Sequence, residues 1–99
     1  MKQIEPNADR RDLFQAVLSL GGLADCEAFF NDLCTPDELN SLAGRWKVAR
    51  LLGKKLPYRE IADRTGISTA TVTRVARCLN YGPEGGYRRA LGRAANKTP

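Results

Sequence analysis

The sequence predicts an all-α protein, and three observations support this. Apolar residues recur at helical spacing along most of the chain, and no segment shows the alternation of a β-strand. Thr35-Pro36 and Gly66 to Ser68 supply strong signals for helix starts and ends. The 99 residues are 42% apolar, which suits a folded chain and not a disordered one. We therefore expect one helical domain over residues 1–99.

Short connections join the predicted helices, which follow a flexible arm over residues 1–6. The helices are expected at residues 8–20, 24–33, 36–52, 58–65, 68–79 and 87–95. By role, the chain divides into core and dimerisation helices at 8–52, a helix-turn-helix at 57–80 and a basic C-terminal helix at 87–95.

The first two helices carry more large apolar side chains than so short a chain is expected to cover. Asn7 is the expected N-cap of the first helix. On a monomer, an exposed patch would be left by Phe14, Phe29, Phe30 and Trp46. Such patches usually mark an interface, and a twofold dimer is the commonest assembly. We therefore expect a homodimer.

The third helix has the clearest start in the chain. Thr35 is a good N-cap, and Pro36 suits the first helical position, where its missing N–H costs nothing. Glu38 lies three residues after the cap and can close a capping box. Gly53 is expected to end this helix.

The fourth and fifth helices predict a helix-turn-helix. Gly66 can take the left-handed conformation of a tight turn, and Ser68 is a favoured N-cap for the helix that follows. The fifth helix has one apolar stripe, formed by Val72, Val75, Ala76 and Leu79. Two helices joined by a short glycine-containing turn are typical of this motif, although an ordinary helical hairpin in a core has the same pattern.

The polar face of the fifth helix predicts contact with a DNA duplex. Threonine hydroxyls and methyl groups can face base edges in the major groove, and arginine can reach phosphate or guanine. Charge supports this prediction: residues 1–44 hold three Lys/Arg and eight Asp/Glu (net −5), and residues 45–99 hold thirteen and three (net +10). A basic half beside an acidic half indicates a polyanionic partner, whereas a solvated surface is the alternative.

Other functions find little support in the sequence. The chain has no histidine, and its cysteines Cys26, Cys34 and Cys78 are widely spaced, so neither a zinc site nor histidine-dependent catalysis is expected. We interpret Cys26 and Cys78 as small core residues, with redox sensing as the alternative. We expect no enzyme activity and no cofactor. No apolar run reaches transmembrane length, and the N-terminus lacks the basic-then-apolar order of a signal peptide, which favours a cytoplasmic, nucleoid-associated protein.

From Cys34 to Gly82 the chain resembles the Trp repressor family, and within it the YerC/YecD group. The matching pieces are LCTPDEL, a downstream arginine, LPYREIADRTGISTATVTRV, and RCLNYG followed by Gly-Tyr. The resemblance implies an intertwined homodimer that presents one recognition helix per subunit to double-stranded DNA. Together, the residue pattern and the resemblance predict a DNA-binding set of Arg59, Ser68, Thr69, Ala70, Thr71, Thr73, Arg74 and Arg77.

The resemblance also raises the question of a corepressor. In Trp repressors the indole of tryptophan lies between two arginines, with a threonine nearby, and the matching positions are Thr35, Arg45 and Arg74. Those repressors have a glycine where this chain has Val75, and a serine where it has Cys78. A β-branched side chain there would fill space that the ligand needs, so we expect DNA binding without tryptophan.

Three functions are therefore weighed. The first is a dimeric regulator, expected to be a repressor, that binds a palindromic operator without tryptophan. The second is a repressor gated by another small molecule between Arg45 and Arg74. The third is an architectural or protein-interaction module that binds DNA without sequence preference or meets an acidic protein surface.

Overall fold

The computed structural model describes residues 5–97, with the side chains of residues 5–94. Every segment with helix periodicity is an α-helix, and the described residues contain no strand. The helices are α1 (Pro6–Leu18), α2 (Leu23–Leu33), α3 (Pro36–Gly53), α4 (Tyr58–Thr65), α5 (Thr69–Tyr81) and α6 (Gly86–Lys97). Each predicted helix is confirmed, with ends that differ from the expected positions by no more than about two residues, the usual scatter of helix ends.

The chain forms two compact units whose boundary falls within α3. The N-terminal unit extends to Leu39, and the C-terminal unit begins at Asn40. None of the described helices is long and apolar enough to cross a membrane.

The start of α1 differs from the prediction. The helix begins at Pro6, and its N-cap is Glu5, whose backbone N–H donates to the Asp9 carboxylate over 2.7 Å. Asn7 is therefore not the cap; its side-chain oxygen accepts a hydrogen bond from Arg10 instead. Proline has its backbone angle preset for the first helical position, which explains why the helix starts before the asparagine. Of the predicted arm, residues 1–4 lie outside the described residues.

The N-terminal unit has no buried interior of its own. Neither α1 nor α2 contains a buried residue. Phe14 is 58% exposed and Leu18 is 84% exposed. The rings of Phe29 and Phe30 meet edge to face with their centroids 5.5 Å apart, and both remain only half-buried. The predicted surplus of apolar surface on these helices is confirmed. Trp46, however, does not belong to the exposed patch, because it is half-buried and packs against the core of the C-terminal unit.

The capping box at the start of α3 is also confirmed. The Glu38 backbone N–H donates to the Thr35 hydroxyl over 3.2 Å. In return, the Thr35 backbone N–H donates to the Glu38 carboxylate over 2.8 Å. Hydrogen bonding of the Glu38 carboxylate to the backbone of Thr35, and then to its side chain, holds the pKa of Glu38 below its usual value. The exchange satisfies two helix-start N–H groups that would otherwise lack partners.

The core lies in the C-terminal unit, where the end of α3 meets α4 and α5. Its buried residues are Val48, Ala49, Ile61, Val72, Val75 and Ala76. Val48 is the member that the sequence pattern did not single out. Lys47 precedes it and Arg50 follows two residues later, and it lies beside the stripe of residues assigned to the apolar face of α3. Burial of a valine or isoleucine side chain contributes about 1.5–3 kcal/mol, so the four larger members of this cluster are the main source of stability in the unit.

The turn between α4 and α5 has the geometry that the sequence predicts. Gly66 lies in the left-handed region with φ 73°, and its N–H donates to the Ala62 carbonyl. Ile67 follows and packs against the core. A Cβ added at Gly44 of α3 would come within 3.1 Å of the Ile67 side chain, so the glycine permits this close approach.

The assignment of Cys78 to the core is wrong. Cys78 is exposed, whereas Cys26 and Cys34 are half-buried, and all three are free thiols. Cys26 is not a core residue either, because α2 contains no buried residue. At about 100° per residue, Cys78 lies roughly 110° from the middle of the stripe formed by Val72, Val75, Ala76 and Leu79. That angle places it on the flank of α5 and not against the core.

Candidate nucleic-acid interface

The N-terminus of α5 is fixed by a local hydrogen-bond pair. The Ser68 hydroxyl accepts from the Thr71 backbone N–H over 3.2 Å, which makes Ser68 the N-cap as predicted. The same hydroxyl donates to the Thr71 hydroxyl oxygen over 3.1 Å. The Thr71 hydroxyl therefore keeps its own hydrogen for a further partner, because its oxygen already accepts from Ser68.

Most of the predicted DNA-binding residues lie on the surface. Thr71 is half-buried. The exposed members are Arg59, Ser68, Thr69, Ala70, Thr73, Arg74 and Arg77. They occupy the start of α4 and the start and outer side of α5, opposite the apolar stripe that forms the core. The structure thus brings this set together on one α4–α5 unit.

The arginines of this surface are available to bind an external anion. In the part of the chain that the structure describes, the ion pair recorded within the α4–α5 segment joins Arg64 to Glu60 over 2.8 Å. No hydrogen bond or ion pair to Arg59, Arg74 or Arg77 is recorded among those residues. Unpaired exposed cations are the usual source of affinity for a nucleic acid backbone.

Val75 faces the interior directly beside Arg74. It is only 2% exposed and packs in the cluster with Val48, Ile61 and Val72. The prediction that Val75 is a core residue is therefore confirmed. Its side chain is already enclosed by its own chain.

The residues predicted to hold a small molecule have different surroundings. Arg45 and Arg74 are exposed and belong to the C-terminal unit. Thr35 belongs to the N-terminal unit, where its hydroxyl accepts from Glu38 in the capping box. Among the described residues, no group of three or more Cys, Asp or Glu is placed to hold a metal ion.

The structure adds three residues that the sequence interpretation missed, namely Tyr58, Asn80 and Tyr81. A cavity of about 430 Å³ lies on the surface of α4 and α5 and is lined by Tyr58, Thr73, Arg77, Asn80 and Tyr81. The last four recur at i, i+4, i+7 and i+8 on α5, which places them on one helix face. Their spacing could have indicated a polar stripe, but Tyr58 joins it only because the turn folds α4 back beside α5.

Arg88 also has a role beyond its charge. Its guanidinium donates to the Leu79 carbonyl and, over 2.9 Å, to the Gly82 carbonyl. It thereby satisfies carbonyl groups at the C-terminus of α5, which have no partner within the helix. The contact ties α6 to the end of α5.

Comparison with known proteins agrees with this geometry. The family model described as Trp repressor protein matches residues 9–95. The protein YerC of Bacillus subtilis (strain 168), itself described as uncharacterised, is 52% identical over 81 residues, which are 82% of this chain and 77% of that protein.

Two solved structures share the fold. A crystal structure of a TrpR-like protein from Eubacterium eligens superposes with a TM-score of 0.80 at 47% identity and covers 86% of this chain and 87% of its own. A protein from Staphylococcus aureus, described as a candidate Trp repressor, superposes with a TM-score of 0.83 at 38% identity over the full length of both chains.

An all-helical chain with a basic, unpaired surface on two helices and this set of relatives is a DNA-binding transcriptional regulator, a class that acts without catalysis. Within that class, the chain belongs to the Trp repressor family. The predicted resemblance, including the likeness to YerC, is confirmed.

Proposed function

We propose that this protein is a sequence-specific transcriptional repressor that binds a palindromic operator as a homodimer and does so without tryptophan. In this proposal α4 and α5 form the helix-turn-helix, and α5 is the recognition helix that enters the major groove. The protein would act at the nucleoid of the cytoplasm. In a twofold dimer the two recognition helices would lie one DNA turn apart, roughly 34–36 Å.

The observation that carries the proposal is the exposed, hydrogen-bonded start of α5. Thr69 and Ala70 are exposed there, and the Ser68 cap holds the Thr71 hydroxyl in place. Short polar side chains on a rigid helix start can approach base edges closely, and Thr methyl and hydroxyl groups suit contacts to thymine and to hydrogen-bonding edges. Arg59, at the start of α4, would bind phosphate and so fix the register.

The apolar surface of the N-terminal unit supports the homodimer. An open cavity of about 530 Å³ between α1 and α2 is lined almost entirely by carbon atoms. Its walls are Leu13, Phe14, Val17, Leu18 and Phe30. A second copy of the chain would bury this surface, and helices without an interior gain stability chiefly from such packing.

Burial of Val75 supports DNA binding without tryptophan. In tryptophan-binding relatives the resemblance places a glycine at this position, whereas the valine side chain here is enclosed in the core. Gating by another small molecule between Arg45 and Arg74 stays a second hypothesis, because both guanidinium groups are exposed. Calorimetry with tryptophan should give no heat of binding in the micromolar range; such heat would contradict this role for Val75.

Selection from a pool of random duplexes tests the proposed function. We expect enrichment of an inverted repeat whose half-sites are one helical turn apart. Enrichment of no sequence would reject the regulator and favour the architectural module. A single half-site, without its inverted copy, would reject the palindromic operator while leaving sequence-specific binding intact.

A further inference from the structure

We propose that the cavity lined by Tyr58, Thr73, Arg77, Asn80 and Tyr81 binds a phosphodiester group of the DNA backbone. We call these five residues the phosphate clamp. The inference rests on the proposed DNA-binding function and deepens it. It gives a role to Tyr58, Asn80 and Tyr81, and it assigns Arg77 to phosphate and not to guanine.

The chemistry of the lining selects an anion with several oxygen atoms. Each of the five side chains carries at least one hydrogen-bond donor: a hydroxyl, an amide N–H₂ or a guanidinium. The lining contains no carboxylate, and Arg77 supplies a positive charge. Hydrogen bonds to a charged oxygen are about twice as strong as neutral ones, so a phosphate oxygen gains most from such a set.

These donors have no competing partner within the protein. Among the described residues, no side-chain hydrogen bond or ion pair is recorded for any member of the clamp. Tyr81 is 81% exposed, and Tyr58 is 44% exposed. Two uncovered tyrosines beside an unpaired arginine are what a surface needs to bind a charged ligand without first breaking internal bonds.

The position of the cavity makes the ligand part of the same duplex. Tyr58 is the first residue of α4, and Asn80 and Tyr81 end α5. In helix-turn-helix docking the N-terminal residues of the recognition helix contact bases, and the first helix crosses the backbone. The start of α4 and the outer side of α5 would therefore lie beside a DNA strand, where the accessible groups are phosphates.

Neutral-phosphate scanning tests the clamp directly. The selected duplex is synthesised with one methylphosphonate at a time, which removes the charge of a single phosphate. For the wild-type chain we expect a loss of affinity of about tenfold or more at one position in each half-site, the size of a hydrogen bond to a charged group. In Arg77→Gln and Tyr81→Phe, the penalty at that position should shrink, while penalties elsewhere stay unchanged.

Arg64→Gln is the matched control, because it removes the same charge from α4 outside the clamp, at a residue paired with Glu60. The control should keep the wild-type pattern of penalties. All three substituted residues are exposed, so each variant is expected to fold. Penalties in Arg77→Gln and Tyr81→Phe that match those of wild type would overturn the clamp and leave the proposed function standing.

Two other outcomes are also decisive. If random selection enriches no sequence, the proposed function fails, and the clamp is then tested by the salt dependence of affinity for a random duplex. A slope of log affinity against log salt that is lower by about 1 per subunit in Arg77→Gln supports the clamp, and an unchanged slope overturns it. Shifts of Tyr81 resonances on addition of inorganic phosphate, together with unaltered DNA affinity of Tyr81→Phe, would identify a site for free anions and overturn the clamp as well.

Discussion

At the level of single residues, the Ser68 hydroxyl is committed to the start of α5. It accepts from one Thr71 group and donates to another, so it both completes the helix start and orients a side chain on the proposed reading surface. Its neighbour Thr69 is exposed and has no recorded side-chain partner among the described residues. The two positions therefore separate a structural role from a role in recognition.

Ser68→Ala should lower the free energy of unfolding by about 1 kcal/mol, the usual cost of losing an N-cap. Thr69→Ala should change it by less than about 0.5 kcal/mol, because it removes an exposed side chain outside any special contact. Urea denaturation followed by circular dichroism measures both. Equal destabilisation by the two variants would show that the cap contributes little.

Thr71 and Arg59 should affect DNA binding in different ways. Thr71→Ala removes a hydroxyl and a methyl group proposed to face base edges, and should lower the ratio of specific to non-specific affinity by about tenfold. Arg59→Ala removes a proposed phosphate contact, and should weaken binding to every duplex alike and reduce the salt slope by about 1 per subunit. Fluorescence anisotropy at several salt concentrations measures both. Similar effects of the two variants on the affinity ratio would contradict these roles.

At the level of the helices, local signals explain why so much was predictable. The caps of α3 and α5 and the left-handed Gly66 depend on residues within one turn of the chain, and each is confirmed. The prediction that Asn7 is the N-cap of α1 was wrong because a proline one residue earlier is an equally local but stronger start signal. Such signals act independently of how the rest of the chain folds, so they can be recognised from the sequence alone.

Features that depend on packing were harder to predict. Val48 is buried because the end of α3 turns that side toward α4 and α5, which its charged neighbours do not indicate. Cys78 is exposed because the core contacts only a narrow stripe of α5. The cavity beside Tyr58 was missed for the same reason, since its lining comes from two helices whose relation appears only after folding.

The capping box of α3 makes a prediction about pH. Because the pKa of Glu38 is lower in the folded protein than its usual value, the ionised carboxylate favours folding. This contribution should be fully present above the usual glutamate pKa and should disappear as pH falls through the lower folded value. Glu38→Gln keeps an acceptor but does not ionise, so the difference in unfolding temperature between wild type and variant should be largest near neutral pH.

Asp37→Asn is the matched control for that experiment. Asp37 lies in the same first turn, and it takes no part in the hydrogen bonds of the capping box. Its removal should leave most of the pH dependence in place. A wild-type advantage over Glu38→Gln that persists unchanged to the lowest pH would contradict the role assigned to the carboxylate.

At the level of the whole molecule, the two units differ in how they are stabilised. The C-terminal unit has a buried core that supports the proposed reading surface, while α1 and α2 keep their large apolar side chains accessible. The charges divide at nearly the same point in the sequence, where an acidic part is followed by a basic part. An acidic N-terminal surface would be repelled by DNA, so we expect it not to contact the duplex.

Phe14→Glu should break the proposed homodimer. The new carboxylate would lie in the apolar cavity between α1 and α2. Dimerisation would then remove this charge from water without a partner for it, which costs free energy. Gln15→Glu adds the same charge at an exposed neighbour that does not line the cavity. Analytical ultracentrifugation at micromolar concentration should show a dimer for wild type and Gln15→Glu and a monomer for Phe14→Glu. A wild-type monomer would remove the model of two half-sites.

The lack of an interior in the N-terminal unit ties the order of this protein to its abundance. If its helices are completed only by a second copy, dilution acts like a mild denaturant, and the melting temperature must climb as the protein becomes more concentrated. In a cell with few copies of the protein, most chains would then be monomers whose N-terminal helices are poorly ordered and which do not occupy an operator. Occupancy of a promoter would rise more steeply than the protein concentration, because dimerisation would both order the N-terminal helices and form the species that binds DNA.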